Sequence, residues 1–278
     1  MRKGSVIMTW LLRVSGAFPA RTRLASMAVA LAAGTMLAGA PAAMAAVPAA
    51  GVGAIYSTSS TGYQATGRWF RYAQTQIVFP TNFICSYLHS VLETSAGPGS
   101  VSVTVGLGSS PAAHIAVVIS SVPTASGCGI FTGQLEYNAT QNPMAVGNID
   151  PGDTVRVSVY YNPGTYAVSA AVVDLTDGLN VTAGADSSSG SVFTSARIET
   201  GFSAFHQPGT GGSSVRAFSY TGSAATTATG DRGTMTGPWT TSQVIMTANG
   251  KASDPVEANG PVLWDNGANF STWIRDNS

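Results

Sequence analysis

Two opposite charges stand two positions apart in the stretch TSARIETGF, where Arg197 and Glu199 are surrounded by uncharged residues. Apart from Arg197, the nearest charged residue before Glu199 is Asp186. In a β-strand, residues two apart point to the same face, about 7 Å from one another along the chain. One interpretation is a same-face ion pair, worth roughly 0–1 kcal/mol if exposed. The other is a catalytic carboxylate, whose ionised form the adjacent guanidinium would favour.

Other groups that could do chemistry are few. Glu136, in GQLEYN, is a second candidate acid. The histidines are far apart in sequence, have no zinc-site spacing and are expected to be structural or exposed; they are His89, His114 and His206. Asp150-Pro-Gly-Asp153 is only superficially similar to a cation loop, because no further ligands follow, and we interpret it as a turn. Phosphate-loop, dinucleotide and serine-hydrolase motifs are absent. We therefore expect no metal and no cofactor.

The elements that must position these residues are short strands. VSVTVGL and TVRVSVYY alternate apolar and polar residues with a period of two. Gly- and Pro-rich turns such as DPGD and NPGT separate the strands at intervals of about ten residues. No window outside the first 45 residues has a helical period. This pattern predicts an all-β fold, a two-sheet antiparallel β-sandwich.

The N-terminal segment, residues 1–45, has the features of a secretory signal. Five basic residues and no acid accompany the 14-residue apolar run LASMAVALAAGTML, and Ala43-Met44-Ala45 has the form of a signal-peptidase site. We expect residues 46–61 to be a linker or first strand and residues 62–278 to form the domain. Removing the signal leaves 13 − 5 = 8 basic against 13 acidic residues, a net charge near −5. Such a charge predicts neither nucleic-acid nor anionic-membrane binding.

Cys85 and Cys128 are the only cysteines. In an exported chain two cysteines suggest one disulfide, and the alternative is two buried free thiols. We expect the disulfide, and we expect an extracellular protein without a membrane span.

The order of motifs resembles that of the glutamic peptidases, the eqolisins. The resemblance runs from about Gly62 to Ile274 and includes GYQATG, VSVTVGLG, GQLEYN with Glu136, IDPGDTVRVSV, AVVDLTDG, TSARIETGF and LWDNGANFSTWI. It implies a concanavalin-like β-sandwich of two antiparallel sheets. It also implies peptide hydrolysis at acid pH, in which a Glu activates water and a Gln amide polarises the carbonyl and stabilises the oxyanion.

The two residues of that dyad are replaced in the best alignment. The family's Gln matches Ala116, and its Glu matches Arg197. A two-residue slip would place Glu199 on the catalytic face instead, and Glu136 is the other acid expected in the cleft. The resemblance therefore implies either a lost dyad or a rebuilt one.

Three hypotheses follow. The first is a secreted, peptidase-inactive monomer that binds a peptide or glycan in the former substrate groove, through aromatic side chains and edge-strand backbone. The second is an active acid glutamic endopeptidase rebuilt around Glu136 or Glu199. The third is a cell-surface or matrix structural protein, suggested by the low charge of the chain.

Overall fold

The structure is a computed structural model that describes residues 52–94, 97–110, 113–138, 140–146, 149–186, 191–203, 214–254, 256–259 and 267–275. The predicted signal and His206 lie outside these residues. The described elements, in chain order, are β1 Gly53–Ser57, β2 Ser60–Val78, α1 Asn82–Leu92, β3 Glu93–Thr94, β4 Gly97–Pro98, β5 Val101–Ser110, β6 Ala113–Ser121, β7 Thr132–Tyr137, β8 Thr140–Met144, β9 Thr154–Tyr161, β10 Ala167–Asp174, β11 Asn180–Asp186, β12 Phe193–Phe202, β13 Ser214–Thr227, β14 Arg232–Thr234, β15 Thr240–Thr247, β16 Val256–Asn259 and β17 Phe270–Arg275.

Apart from the β3–β4 pair, the strands form one continuous hydrogen-bonded sheet that folds into two layers, called here the first and second sheets, and this confirms the predicted all-β sandwich. Strand β16 joins β15 to β17 and also connects the two layers. The first sheet has the order β15, β2, β12, β5, β6, β7, β8, and β1 pairs with the outer edge of β15. The second has the order β17, β13, β2, β9, β10, β11, and β14 pairs with β13. Strand β1 is parallel to β15, an exception at this edge to the predicted antiparallel pairing.

Strand β2 belongs to both sheets because it is long and bent. Its first residues, 60–66, pair with β12 and β15, whereas residues 70–78 pair with β9 and β13. Gly67 lies between the two halves with a φ of +83°, a conformation that favours glycine. Hydrogen bonding is therefore continuous from one sheet to the other through this strand.

The core lies between the inner faces and follows the predicted alternation. In β9, Val155, Val157 and Val159 are buried, whereas Arg156 is exposed. Strands β5 and β6 contact β9 across the core, and β7 and β8 contact β11. Burial of these branched side chains is the main source of stability, at about 25 cal/mol per Å² of apolar surface.

An aromatic and hydroxyl cluster fixes the inner side of β12. Phe270 stacks on Tyr220 with ring centroids 4.4 Å apart and meets the edge of Tyr63 at 4.9 Å. The buried hydroxyls of Tyr220 and Thr200 are 2.5 Å apart, and Thr200 lies 3.0 Å from Thr272. Burial raises the pKa of Tyr220, so its phenol stays neutral and remains a hydrogen-bond donor. This network holds β12 from the core side.

Helix α1 is the one α-helix among the described residues, and no helical period in the sequence predicted it. It buries Cys85, Leu88, Val91 and Leu92, which form a stripe at helical spacing. The whole helix has only eleven residues. Aromatic and β-branched residues of low helix propensity fill much of the rest, so packing rather than local preference stabilises it. Among the described residues, no helix is long and apolar enough to cross a bilayer.

The disulfide between Cys85 and Cys128 is present, as predicted. It joins α1 to the segment before β7, with α-carbons 4.7 Å apart and a sequence separation of 43. The Oδ1 atom of Asn82 also accepts a hydrogen bond from the backbone N–H of Cys128 at 3.2 Å. Covalent and polar contacts therefore fix the helix to the same loop.

We expect the double substitution Cys85→Ala/Cys128→Ala to lower the free energy of unfolding by about 2–4 kcal/mol, because closing a loop of this length restricts the unfolded chain. Urea denaturation under oxidising conditions measures the change. Ser126→Ala, an exposed substitution in the same loop, is the control and should have little effect. A double variant as stable as the wild type would contradict the prediction.

Candidate functional site

Strand β12 divides its side chains between the core and the outer face of the first sheet. Ile198 and Thr200 are fully buried on the inner side, whereas Arg197 and Glu199 are half-buried on the outer side. This is the period-two alternation of a strand. Arg197 and Glu199 therefore point to the same face, the one turned away from the core.

Arg197 belongs to a row of directly paired residues that crosses the first sheet. It pairs with Gln64 on one side and with Gly106 on the other, and the row continues through Ala116 to Glu136. Directly paired residues project from the same face. With strands about 4.8 Å apart, the α-carbons of Arg197 lie about 10 Å from Ala116 and about 14 Å from Glu136.

A second row, two residues along each strand, passes through Glu199. Its members are Gly62, Glu199, Thr104, Val118 and Gln134. Because the shift is two residues, this row shares the outer face with the first one. The outer face therefore presents charged and amide side chains from β12 and from β7, separated by the two strands β5 and β6.

The strands between them contribute small side chains. A β-carbon built on Gly106 would stand 2.9 Å from the β-carbon of Ala116 and 2.8 Å from the carbonyl oxygen of Ile115, closer than real side chains approach. Next to it, Ser195 Oγ donates a 2.7 Å hydrogen bond to the carbonyl oxygen of Gly108. Glycine is thus required at Gly106 by the close approach of β6.

We call this surface the outer-face channel. Its middle lies on β5 and β6, where Gly106 and Ala116 are buried, and polar residues of β12 and β7 flank these strands. The defining residues are Thr104, Gly106, Gly108, Ala116, Arg197, Glu199, Gln134 and Glu136.

Arg197 has an incompletely satisfied guanidinium group. Its Nε atom is buried and has no hydrogen-bond partner. A buried donor without a partner costs about 1–3 kcal/mol. The cation is therefore held at the side of the channel with one buried donor left unsatisfied.

Burial raises the pKa of Glu199, and this effect exceeds the opposing effects of the Arg197 guanidinium and of a hydrogen bond with the Ser60 side chain. Part of the side chain reaches the surface, but its carboxylate is surrounded by protein atoms. The expectation that Arg197 would make Glu199 more acidic is wrong in its net direction, because desolvation exceeds the attraction between the two charges.

Glu136 is the centre of a polar cluster on β7. Its Oε1 atom accepts hydrogen bonds from Nε2 of Gln134 at 2.9 Å and from Nε2 of Gln141 at 3.2 Å. Nε2 of His114 lies 3.6 Å from its Oε2 atom. No sequence pattern indicated either glutamine as a partner of Glu136. Gln134 stands two residues before Glu136, the same spacing as Arg197 and Glu199, and this signal could have revealed it.

The two candidate acids are not brought together. Glu199 is on β12 and Glu136 is on β7, three strands away, or about 14 Å by strand spacing. They can therefore not share one proton or one water molecule. His89 lies on α1, away from the channel.

Aromatic side chains are missing from the described part of the channel, contrary to the expectation of an aromatic-lined groove. The outer-face positions of the two rows are Gly, Ala, Thr, Val, Gln, Arg and Glu. Trp69 is 62% exposed, but it lies at the bend of β2 beside a cavity lined by Arg68 and Thr194. Recognition in the described channel must therefore be polar.

We expect Glu199→Gln to stabilise the protein at pH 7, with the gain shrinking towards pH 4. Burial raises the pKa of Glu199 above its ordinary value, so the protonated form favours folding. The protonated side chain contributes fully to the free energy of unfolding below the unfolded-state pKa, and this contribution is lost as the pH rises through the folded-state pKa. Glutamine imitates the protonated form at every pH. The measurement is the free energy of unfolding in urea between pH 4 and 8.

The control for this prediction is Asp231→Asn, which removes one negative charge from an exposed turn. A pH-independent difference between wild type and Glu199→Gln, or the same pH profile in both variants, would contradict the assignment to Glu199.

Comparison with known proteins identifies the fold but no relationship in sequence. No protein-family profile matches the chain, and no curated protein matches it in sequence. Scytalido-glutamic peptidase, solved with a peptide-based transition-state analogue, matches with a TM-score of 0.55 and 14% identity over 78% of this chain and 98% of its own. A second structure of that peptidase, with a transition-state analogue inhibitor, gives a TM-score of 0.56 and 13% identity with the same coverage.

SCP-B, described as a member of the eqolisin family and solved in complex with the tripeptide Ala-Ile-His, matches with a TM-score of 0.52 and 16% identity. The match includes 98% of the SCP-B chain and 78% of this chain. At such identities the likeness shows the fold alone. The chain has the β-sandwich fold of the eqolisin peptidases.

Proposed function

We propose that this protein is exported and binds an extended peptide along the outer-face channel without hydrolysing it. The observation that supports this most directly is the row in which Arg197 and Ala116 face outwards with Gly106 between them. These are the two positions that best match the family's Glu and Gln. A carboxylate and an amide are replaced there by a cation and a methyl group.

The chemistry of glutamic peptidases requires a base for the water and a donor for the developing oxyanion. Arg197 cannot act as that base, because a guanidinium keeps its proton. Ala116 cannot donate a hydrogen bond. Removing one oxyanion donor typically costs about 10²–10³-fold in rate, and the loss of the base adds to this, although not additively.

The arrangement of the channel favours a peptide over a sugar. Polar side chains of β12 and β7 stand on both sides of the small residues Gly106 and Ala116, which are themselves buried. Sugar recognition commonly uses aromatic faces, and none lies among the described channel residues. The Arg197 guanidinium and the amide of Gln134 are suited to bind carbonyl or carboxylate groups of a peptide.

Export is supported by two independent features. The N-terminal segment has the composition of a secretory signal, and Cys85 and Cys128 form the kind of disulfide that persists in oxidising compartments. We propose an extracellular monomer whose mature chain begins near residue 46.

Peptide capture tests the proposal. The mature protein, immobilised at pH 5, is exposed to a peptide pool made by pepsin digestion of casein, and retained peptides are identified by mass spectrometry. The tightest retained peptide is then titrated by fluorescence anisotropy. We expect Arg197→Gln to weaken its affinity on the order of tenfold or more, because hydrogen bonds to a charged group are worth about 1.5–3 kcal/mol.

The matched control is Arg156→Gln, which removes an exposed cation from the outer face of the second sheet. Equal losses in the two variants would mean non-specific charge attraction and would overturn the channel as the site. Binding to a glycan array without retention of any peptide would replace the peptide with a glycan. If the protein bound neither a peptide nor a glycan, the result would favour the surface or matrix role.

A second candidate function is an acid endopeptidase rebuilt at Glu136. It is favoured by the 2.9 Å contact between Gln134 Nε2 and Glu136 Oε1, which places an amide beside a carboxylate on the outer face. In this alternative, Glu136 would activate water and Gln134 would polarise the carbonyl. The two residues are neighbours on one strand, unlike the family's dyad positions, which lie on two different strands.

Cleavage of denatured casein between pH 2 and 5 distinguishes the two candidates. We expect no cleavage by the mature wild type above the level of the Glu136→Gln/Glu199→Gln double variant. If the wild type does cleave, then loss of activity in Glu136→Gln with retention in Glu199→Gln would establish the rebuilt site and contradict the binding proposal. Circular dichroism verifies that each variant is folded at the assay pH.

A further inference from the structure

Two turns at one end of the second sheet bring four aspartates together. Asp150 and Asp153 belong to the turn before β9, Asp174 is the last residue of β10, and Asp177 belongs to the turn that follows. Both pairs have a spacing of three residues. Because β9 and β10 are antiparallel neighbours, the start of one lies beside the end of the other, and Asp174 pairs with Val155.

Hydrogen bonds fix both turns. The N–H of Asp150 donates to Oδ2 of Asp153 at 2.6 Å. The N–H groups of Thr176 and Asp177 donate to Oδ1 of Asp174 at 2.7 and 3.2 Å. These contacts account for one oxygen of each buried carboxylate and hold the side chains in place.

One buried oxygen in this group is left without a partner. Asp174 is only 1% exposed, and its Oδ2 atom has no hydrogen-bond partner. Asp153 is 5% exposed, and the carboxylate of Asp174 is near enough to act on it electrostatically. A buried carboxylate needs a counter-charge or a proton, since burial of an isolated charge is strongly unfavourable.

Three carboxylates of this group, those of Asp150, Asp153 and Asp177, converge. One carboxylate oxygen from each of Asp150, Asp153 and Asp177 can lie within 4.8 Å of the others. A proton shared by Asp153 and Asp174 would satisfy those two residues but would not account for the approach of Asp150 and Asp177. Oxygen ligands of Ca²⁺ lie at about 2.3–2.6 Å from the ion, so oxygens up to about 5 Å apart can bind the same ion.

We propose that Asp150, Asp153 and Asp177 bind a divalent cation beside the buried carboxylate of Asp174, and that Ca²⁺ is the ion of choice. The donors are all carboxylate oxygens, the ligands preferred by hard cations. Zinc sites usually include imidazole or thiolate ligands, and none is in this group. The bound ion would cross-link the ends of β9 and β10. This site is separate from the outer-face channel and does not depend on the peptide-binding proposal.

The experiment uses the mature protein, stripped of metal with a chelator, at pH 7. Calcium binding is followed by isothermal titration calorimetry and by thermal unfolding, with Mg²⁺ and Zn²⁺ as comparison ions. We expect Ca²⁺ to raise the melting temperature in a concentration-dependent way, as any ligand that binds only the folded state does. Asp177→Asn and Asp150→Asn should each weaken calcium affinity on the order of tenfold or more, because each removes a charged ligand.

The exposed residues Asp150 and Asp177 are chosen because their substitution spares the buried pair and should leave the fold intact. Asp231→Asn, in a turn elsewhere, is the matched control and should keep the wild-type affinity. No calcium response in the wild type would overturn the proposal, as would an equal response in all variants. Stability that increases on acidification without any calcium response would assign a shared proton to Asp153 and Asp174 and would also overturn it.

Discussion

The fold depends on strand β2, which is hydrogen-bonded in both sheets at once. Its first half pairs with β12 and β15, and its second half with β9 and β13. The change of sheet occurs around Gly67, where the backbone has a positive φ. Because pairing is continuous, the register of β12 against β2 determines where Arg197 faces. A slip of one residue would place that charge in the core.

The same constraint produces the outer-face channel. Inside the core, Thr200 is held by Tyr220 and Thr272, and the strand period then places Arg197 and Glu199 outside. The registers of β5, β6 and β7 extend this row to Glu136, which is 61 positions away from Arg197 in the sequence. Sheet pairing thus makes a continuous polar surface from residues that are distant in sequence, with the small buried residues Gly106 and Ala116 between them.

Charge in this protein is sparse, so its placement is informative. The chain has 13 acidic residues, and four of them gather where the start of β9 lies beside the end of β10.

Glu199 illustrates why sequence spacing alone is misleading for electrostatics. Its neighbour Arg197 favours the ionised form, but burial raises the pKa of Glu199 overall. The amount of burial depends on the packing of neighbouring strands, and no local pattern specifies it.

The sequence alone determined the strands, the sandwich class and the disulfide, because period-two alternation and cysteine count are local or compositional signals. Valines 155, 157 and 159 were expected on one face and are buried there. Only the tertiary structure decided the parallel pairing of β1, the short helix α1 and the amide partners of Glu136. Each of these depends on which segments pack together: an eleven-residue helix has too little intrinsic preference to be recognised, and a hydrogen bond between side chains requires a register that cross-strand pairing alone sets.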